Sequence, residues 1–200
     1  MKTILVGITG ASGSIYGLRL VEELLRSGKV VSLLLSSAGR QVLAYETGLQ
    51  LAAGPAETLL QLRAHFSAQN NLRTYAMDDF FAPVASGSNA PDAVVICPCS
   101  MGTLGRIAAG LSDNLLERVA DVALKEQKKL LLVPRETPFN QIHLQNLLRV
   151  SQAGGQILPA MPAFYQKPES VEDMVDFVVG KVLDSLGIEH QLFERWGNKS

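Results

Sequence analysis

The chain lacks a long apolar run, an excess of either charge and all but two cysteines, and each absence narrows what it can be. Its N-terminal apolar stretch, Ile4 to Ile8, is too short for a membrane span or a signal-peptide core, and glycines follow it directly. A cytoplasmic location and no membrane partner are the default expectation. Lysine and arginine number 18 against 19 acidic residues, a net charge of -1, so the basic signature of a nucleic-acid binder is missing. Cys97 and Cys99 flank Pro98 in an apolar strand, too close in sequence to close a useful loop and without partner ligands for zinc. They are expected to be buried structural thiols. Among the histidines, His65 and His190 have no catalytic surroundings, and His143 reads as a structural helix residue. No Ser-His-Asp arrangement, Walker lysine, metal-spaced histidine pair or internal repeat is visible.

What is present suits an α/β protein. The 200 residues, 47% hydrophobic and 18% charged, are expected to form one domain with a full core, a Rossmann-like doubly wound sheet, mostly parallel. Ile4–Gly17 reads as strand, glycine loop and helix start, where unpaired N–H groups and the helix dipole favour an anion. Gly7, Gly10 and Gly13 recur every third residue, so a phosphate could approach the backbone closely. A second strand, Val30–Leu35, ends in Ser36 and Ser37, where a dinucleotide site would carry an acid for the ribose hydroxyls. That argues against NAD and for a single phosphate.

Further strands are expected at 71–75, 92–98, 129–133 and 156–159. Helices are expected from about Ala38, with Glu46 near its end, and at 56–66, 114–126, 141–153 and 171–186, Ser112 capping the third of these. Residues 78–91 read as an ordered binding loop with two exposed aromatics. Arg118, Asp121 and Lys125 share one face of their helix, either its solvated side or a working one. The glycine loop with Ser12, Ser36, the Ser100–Thr103 corner, Arg135-Glu136 and Tyr165 all fall at strand C-terminal ends, where open α/β sheets bind ligands. A flat cofactor with one phosphate, such as FMN, fits that inventory. Arg118, Lys125, Arg135 and Lys181 are more cations than one phosphate requires, which points to a second phosphorylated ligand, with Glu46 and Glu136 available as acid or base. If that phosphate leaves, paired cations would stabilise its charge without a metal.

The segments Gly7-Ile-Thr-Gly-Ala-Ser-Gly-x-x-Tyr-Gly17, Ala85-Ser-Gly-Ser88, Cys97-Pro-Cys-Ser-Met-Gly-Thr103, Asp113-Asn-Leu-Leu-x-Arg118, Ala120-Asp-Val-x-Leu-Lys-Glu126, Pro134-Arg-Glu-Thr-Pro138 and Pro162-Ala-Phe-Tyr165 together carry a resemblance. The chain resembles the flavin prenyltransferases, UbiX-type proteins with the three-layer α/β/α flavoprotein fold, nearly end to end. The resemblance implies one flavoprotein domain over 1–200; the polar tail at 187–200 has little to bury against unless it docks on a neighbouring subunit. It implies that reduced FMN is the acceptor, joined at N5 and C6 to a dimethylallyl group from dimethylallyl monophosphate. It also implies a metal-free dodecamer whose product goes to a UbiD-type decarboxylase.

Carried over by position, Gly10, Ala11, Ser12, Ser36, Ser100, Met101, Gly102, Thr103 and Arg135 would hold FMN. Tyr165 and Lys181 would meet the prenyl phosphate, with Ser86, Arg118, Lys125 and Trp196 supporting it. Ser12, Glu46, Lys125 and Glu136 would carry the catalysis. The family often has Arg where Lys181 stands, which replaces a bidentate grip by a point charge. Two other readings compete: an FMN-dependent aromatic-acid decarboxylase, and a non-catalytic flavin carrier. A cysteine-type decarboxylase of the same fold should show a histidine after the first helix, and Ser36–Glu46 contains none.

Overall fold

The computed structural model describes residues 2–194. The strands are β1 (Thr3–Ile8), β2 (Val30–Leu35), β3 (Leu72–Arg73), β4 (Ala93–Cys99), β5 (Lys129–Pro134) and β6 (Gln156–Ile157). All pair in parallel in one sheet, in the order β3-β2-β1-β4-β5-β6. Between them run α1 (Ser14–Arg26), α2 (Ser37–Thr47), α3 (Pro55–His65), α4 (Met101–Ala108), α5 (Leu115–Lys125), α6 (Gln141–Gln152) and α7 (Val171–Leu186).

Parallel strands covered on both faces read as near-continuous apolar runs, and side-chain alternation then sorts them between two cores. Ile4, Val6 and Ile8 of β1, with Val31, Leu33 and Leu35 of β2, face a core shared with α1, α2, α3 and α7. Leu5, Val94, Ile96, Leu130 and Leu132 face the other way, onto α4, α5 and α6. The result is a three-layer α/β/α Rossmann-like fold. Its strand order reverses between β1 and β4, and the crevice above that switch point is where such sheets take ligands.

Local sequence explains most helix ends. Ser36, Ser100 and Ser170 accept an N–H from the third residue of α2, α4 and α7. The cap of α5 is Asn114, which accepts from Glu117 N at 3.0 Å, rather than the expected Ser112. Nearby, the buried Glu117 carboxylate also takes Asp113 N, Asn114 Nδ2 and Arg106 Nε, and those bonds hold 112–114 out of the helix. His143 completes a capping box with Asn140 at the start of α6, a structural role as expected. Residues 78–91 are ordered by Ala82, Val84 and Ala85 buried against α5, which leaves Phe81 fully exposed.

Candidate functional site

The crevice is built around Thr9, the residue that follows β1. Its buried hydroxyl donates to Pro98 O (2.9 Å) and accepts from Ser100 N (2.7 Å), and its own N–H also reaches Pro98 O. One hydroxyl therefore fixes the spacing of the two loops that part at the switch point. Ser100 in turn accepts Thr103 N and donates to Thr103 Oγ1 at 3.0 Å, so the 100–103 corner is held as a unit. Met101 is buried, whereas a Cβ placed on Gly102 would meet nothing nearer than Ser100 Oγ at 4.0 Å, leaving that backbone open. Thr9 was not singled out from the sequence. Its signal there is only a hydroxyl at the end of an apolar strand, and its partner lies 91 residues away.

The glycine loop reaches α1 through Gly13, whose φ of 102° suits glycine. Gly13 brings no side chain to cap the helix, and the acceptor comes from α2 instead. Glu46 takes Gly13 N at 3.0 and 3.1 Å and Ser14 N at 2.8 Å. The anion at this helix N-terminus is thus the protein's own carboxylate, not a position left for a phosphate. Partial burial raises the Glu46 pKa, but the Ser12 hydroxyl and the Ser14 and Gly13 N–H groups outweigh it and hold the carboxyl below its ordinary value. Gly10 is small for a packing reason: a Cβ there would come 2.6 Å from Ala38 Cβ, so the loop lies directly on the start of α2.

Arg135, at the end of β5, crosses to donate from Nε to Ser12 O (3.1 Å). That contact brings the guanidinium, Ser12 and the 100–103 corner around one opening, with Ser36 at the neighbouring strand end. Glu136 turns back on its own loop, accepting Thr137 N at 3.0 Å. Beneath Arg135 lies half-buried Tyr16, whose phenol is raised by burial and by Cys97 while Arg135 opposes both. Burial also pushes the Cys97 and Cys99 thiols up, so both are inert structural groups.

The remaining candidates fall elsewhere. Tyr165 and Lys181 share an aromatic wall, Tyr165 meeting Phe177 edge-on at 5.8 Å and Lys181 Nζ lying 5.8 Å from the same ring. Lys181 also lines a groove of about 550 Å³ between β6 and α7. Arg118 pairs with Asp121 at 2.9 Å, both half-exposed, and Lys125 pairs with Glu126. Because α5 runs antiparallel to the strands, Lys125 ends near the start of β5, with Arg135 beyond the far end. The six residues of β5 put roughly 20 Å between them. Ser86, bonded to Ser88 at 2.9 Å, belongs to the Lys125 end too, since a Cβ on Gly87 would lie 3.1 Å from Lys125 Nζ. One chain therefore does not bring Ser86 and Lys125 to the crevice that holds Ser12, Ser100 and Arg135. Trp196 lies outside the described residues. Among those residues no group of three or more His, Cys, Asp or Glu could hold a metal, and no helix is long and apolar enough to cross a membrane.

The sequence matches the Flavoprotein family over residues 1–183. It is 52% identical over 195 residues to flavin prenyltransferase UbiX of Halalkalibacterium halodurans, covering 97% of this chain and 93% of that protein. Its structure is similar to that of AnUbiX in complex with FMN and dimethylallyl pyrophosphate, at a TM-score of 0.88 and 38% identity over 100% of this chain and 99% of that one. It is also similar to a dodecameric FMN-dependent UbiX-like decarboxylase from Escherichia coli O157:H7, at a TM-score of 0.87 and 37% identity over 98% and 100% of the chains. A fold matched over its whole length, with identity of this order, settles the family: the chain belongs to the Flavoprotein family, among the prenyltransferase enzymes of the UbiX type.

Proposed function

We propose that the chain, as one flavoprotein domain acting in the cytoplasm, transfers the dimethylallyl group of dimethylallyl monophosphate to N5 and C6 of reduced FMN. The prenylated flavin then passes to a UbiD-type decarboxylase. The observation that carries this reading is the full-length likeness to a protein holding FMN together with dimethylallyl pyrophosphate. The residues fit a flavin mononucleotide. Hydroxyls at Ser36 and Ser100, the Gly10–Ser12 turn, the open Gly102 backbone and Arg135 ring the switch point, and no acid stands at Ser36 for a second ribose.

Bound reduced FMN supplies the nucleophilic N5 and C6. Tyr165 and Lys181 take the donor phosphate, and its C–O bond breaks as the C–N5 bond forms, the electron pair leaving with the phosphate. Cations stabilise that leaving charge most where water is excluded. Lys125 and Ser86 join them from a second copy of the chain, since both lie at the opposite end of the sheet, and Arg118 supports the same phosphate. The working unit is therefore a homo-oligomer, and the dodecameric Escherichia coli relative supports a dodecamer, with Trp196 also contributed across subunits. Closing the ring at C6 adds a proton to the prenyl double bond, turning its far carbon into the cation that bonds C6, and takes one proton from C6; Ser12, Glu46 and Glu136 are the groups available to pass these protons.

Anaerobic incubation with reduced FMN and the donor tests the reading through the mass of the extracted flavin. The decarboxylase name of the Escherichia coli relative supports a second reading. Release of carbon dioxide from an aromatic acid, with the flavin mass unchanged, would select it. Flavin binding with neither reaction would select a carrier.

A further inference from the structure

Gly187, with φ 68°, ends α7, and the chain turns back along the helix it has just left. Residues 188–194 seat there through Ile188, which is buried, and through two rings closed over Gly180. A Cβ on Gly180 would overlap Phe193 Cε1 and lie 2.8 Å from His190 Cε1, so only glycine leaves the notch that the segment fills. His190, its side chain 1% exposed, accepts Leu192 N at Nδ1 (3.2 Å) and places Nε2 3.3 Å from Asp184. Phe193 then stacks tilted on Phe177, with centroids 5.2 Å apart. Lys181 Nζ lies 5.7 Å from the Phe193 centroid and 5.8 Å from that of Phe177, inside cation–π range of both. At its far end the segment is tied to the Tyr165 loop, Gln166 Nε2 donating to Glu194 O at 2.8 Å.

We propose that Phe193 is a positioning residue for Lys181, the returning segment presenting its ring so that the ammonium is held in place for the donor phosphate. This rests on the assignment of Lys181 to that phosphate. A lysine ammonium is a point charge on a flexible four-carbon stem, and binding an anion costs it that freedom. Aromatic faces restrain the cation without neutralising it and leave its three N–H donors for the ligand. The Phe177 and Phe193 rings thus supply the preorganisation that a planar guanidinium would otherwise bring.

Calorimetric titration of dimethylallyl monophosphate into protein loaded with oxidised FMN measures donor binding apart from turnover. Phe193→Leu should weaken it about two- to fivefold, with FMN affinity by flavin fluorescence unchanged, and Phe193→Tyr should match the parent. Gly180→Ala should reproduce the Phe193→Leu loss, because the methyl displaces the ring. In a Lys181→Met background the Phe193→Leu loss should vanish, a coupling that a merely structural role would not show. Parental donor affinity in Phe193→Leu, or an undiminished Phe193 effect without Lys181, overturns the proposal. So does parental affinity in Lys181→Met; a prenylated flavin still formed by the parent protein would then leave the transferase reading standing.

Discussion

Replacing Glu46 by glutamine separates its role as the cap of α1 from any role in proton transfer. In the folded protein its carboxylate accepts Gly13 N and Ser14 N at 2.8–3.1 Å, at the positive end of a 13-residue helix. Glutamine keeps one oxygen acceptor and loses the charge. Charged helix-end contacts contribute about 0.3–1 kcal/mol at exposed sites, and charge-assisted hydrogen bonds are roughly twice as strong as neutral ones. Glu46→Gln should therefore cost about 1 kcal/mol, and Glu46→Ala, which removes both acceptors, about 1–2 kcal/mol. For a chain of this length 1 kcal/mol lowers Tm by roughly 2–4 °C. The pH dependence follows from the lowered pKa. The carboxylate's contribution is complete above its unfolded value of 4.5 and is lost as pH falls through the lower folded value. Urea unfolding of the parent and Glu46→Gln at one fixed protein concentration, from pH 7 to pH 3, should give two curves that converge at the acid end. Equal stabilities at pH 7, or a gap that does not narrow as pH falls below 4.5, would refute the capping argument.

Thr9→Val removes the hydroxyl that accepts Ser100 N and leaves that N–H unpaired, while Pro98 O keeps the N–H of residue 9. It should cost about 1–3 kcal/mol in denaturant unfolding and weaken FMN binding in a fluorescence titration; parental values for both would remove Thr9 from the account. Glu136→Gln should retain FMN yet lose turnover, and full activity in that variant would remove Glu136 from the mechanism. Iodoacetamide at pH 7 should label neither Cys97 nor Cys99 in the folded protein and both in urea, because burial raises both thiols and closes them off.

The parallel strands were legible because burial on both faces writes them as near-continuous apolar runs, and β2 and α7 begin and end where the pattern placed them. The Arg135 opening was legible for a related reason: in a parallel sheet, residues just beyond strand C-termini share one edge. What sequence spacing left dark depends on distance along the chain. Glu46 caps a helix 32 residues before it, and Thr9 staples a loop 91 residues after it. Nothing local in Ile-Thr-Gly or Tyr-Glu-Thr announces either contact. Ser112 lost the cap of α5 to Asn114 because the buried Glu117 carboxylate pulls Asp113 and Asn114 into its own network. The face of α5 with Arg118 and Lys125 was visible as a stripe. A stripe has two ends, and only the direction of the helix shows that Lys125 points away from the Arg135 edge.

Both halves of the account, a flavin held at the switch point and a prenyl phosphate held by Tyr165 and Lys181, meet in the product. The flavin extracted after anaerobic incubation of the protein with reduced FMN and dimethylallyl monophosphate should be heavier by one five-carbon prenyl unit, with one phosphate released for each flavin converted. An unchanged flavin mass, with or without phosphate release, would contradict it.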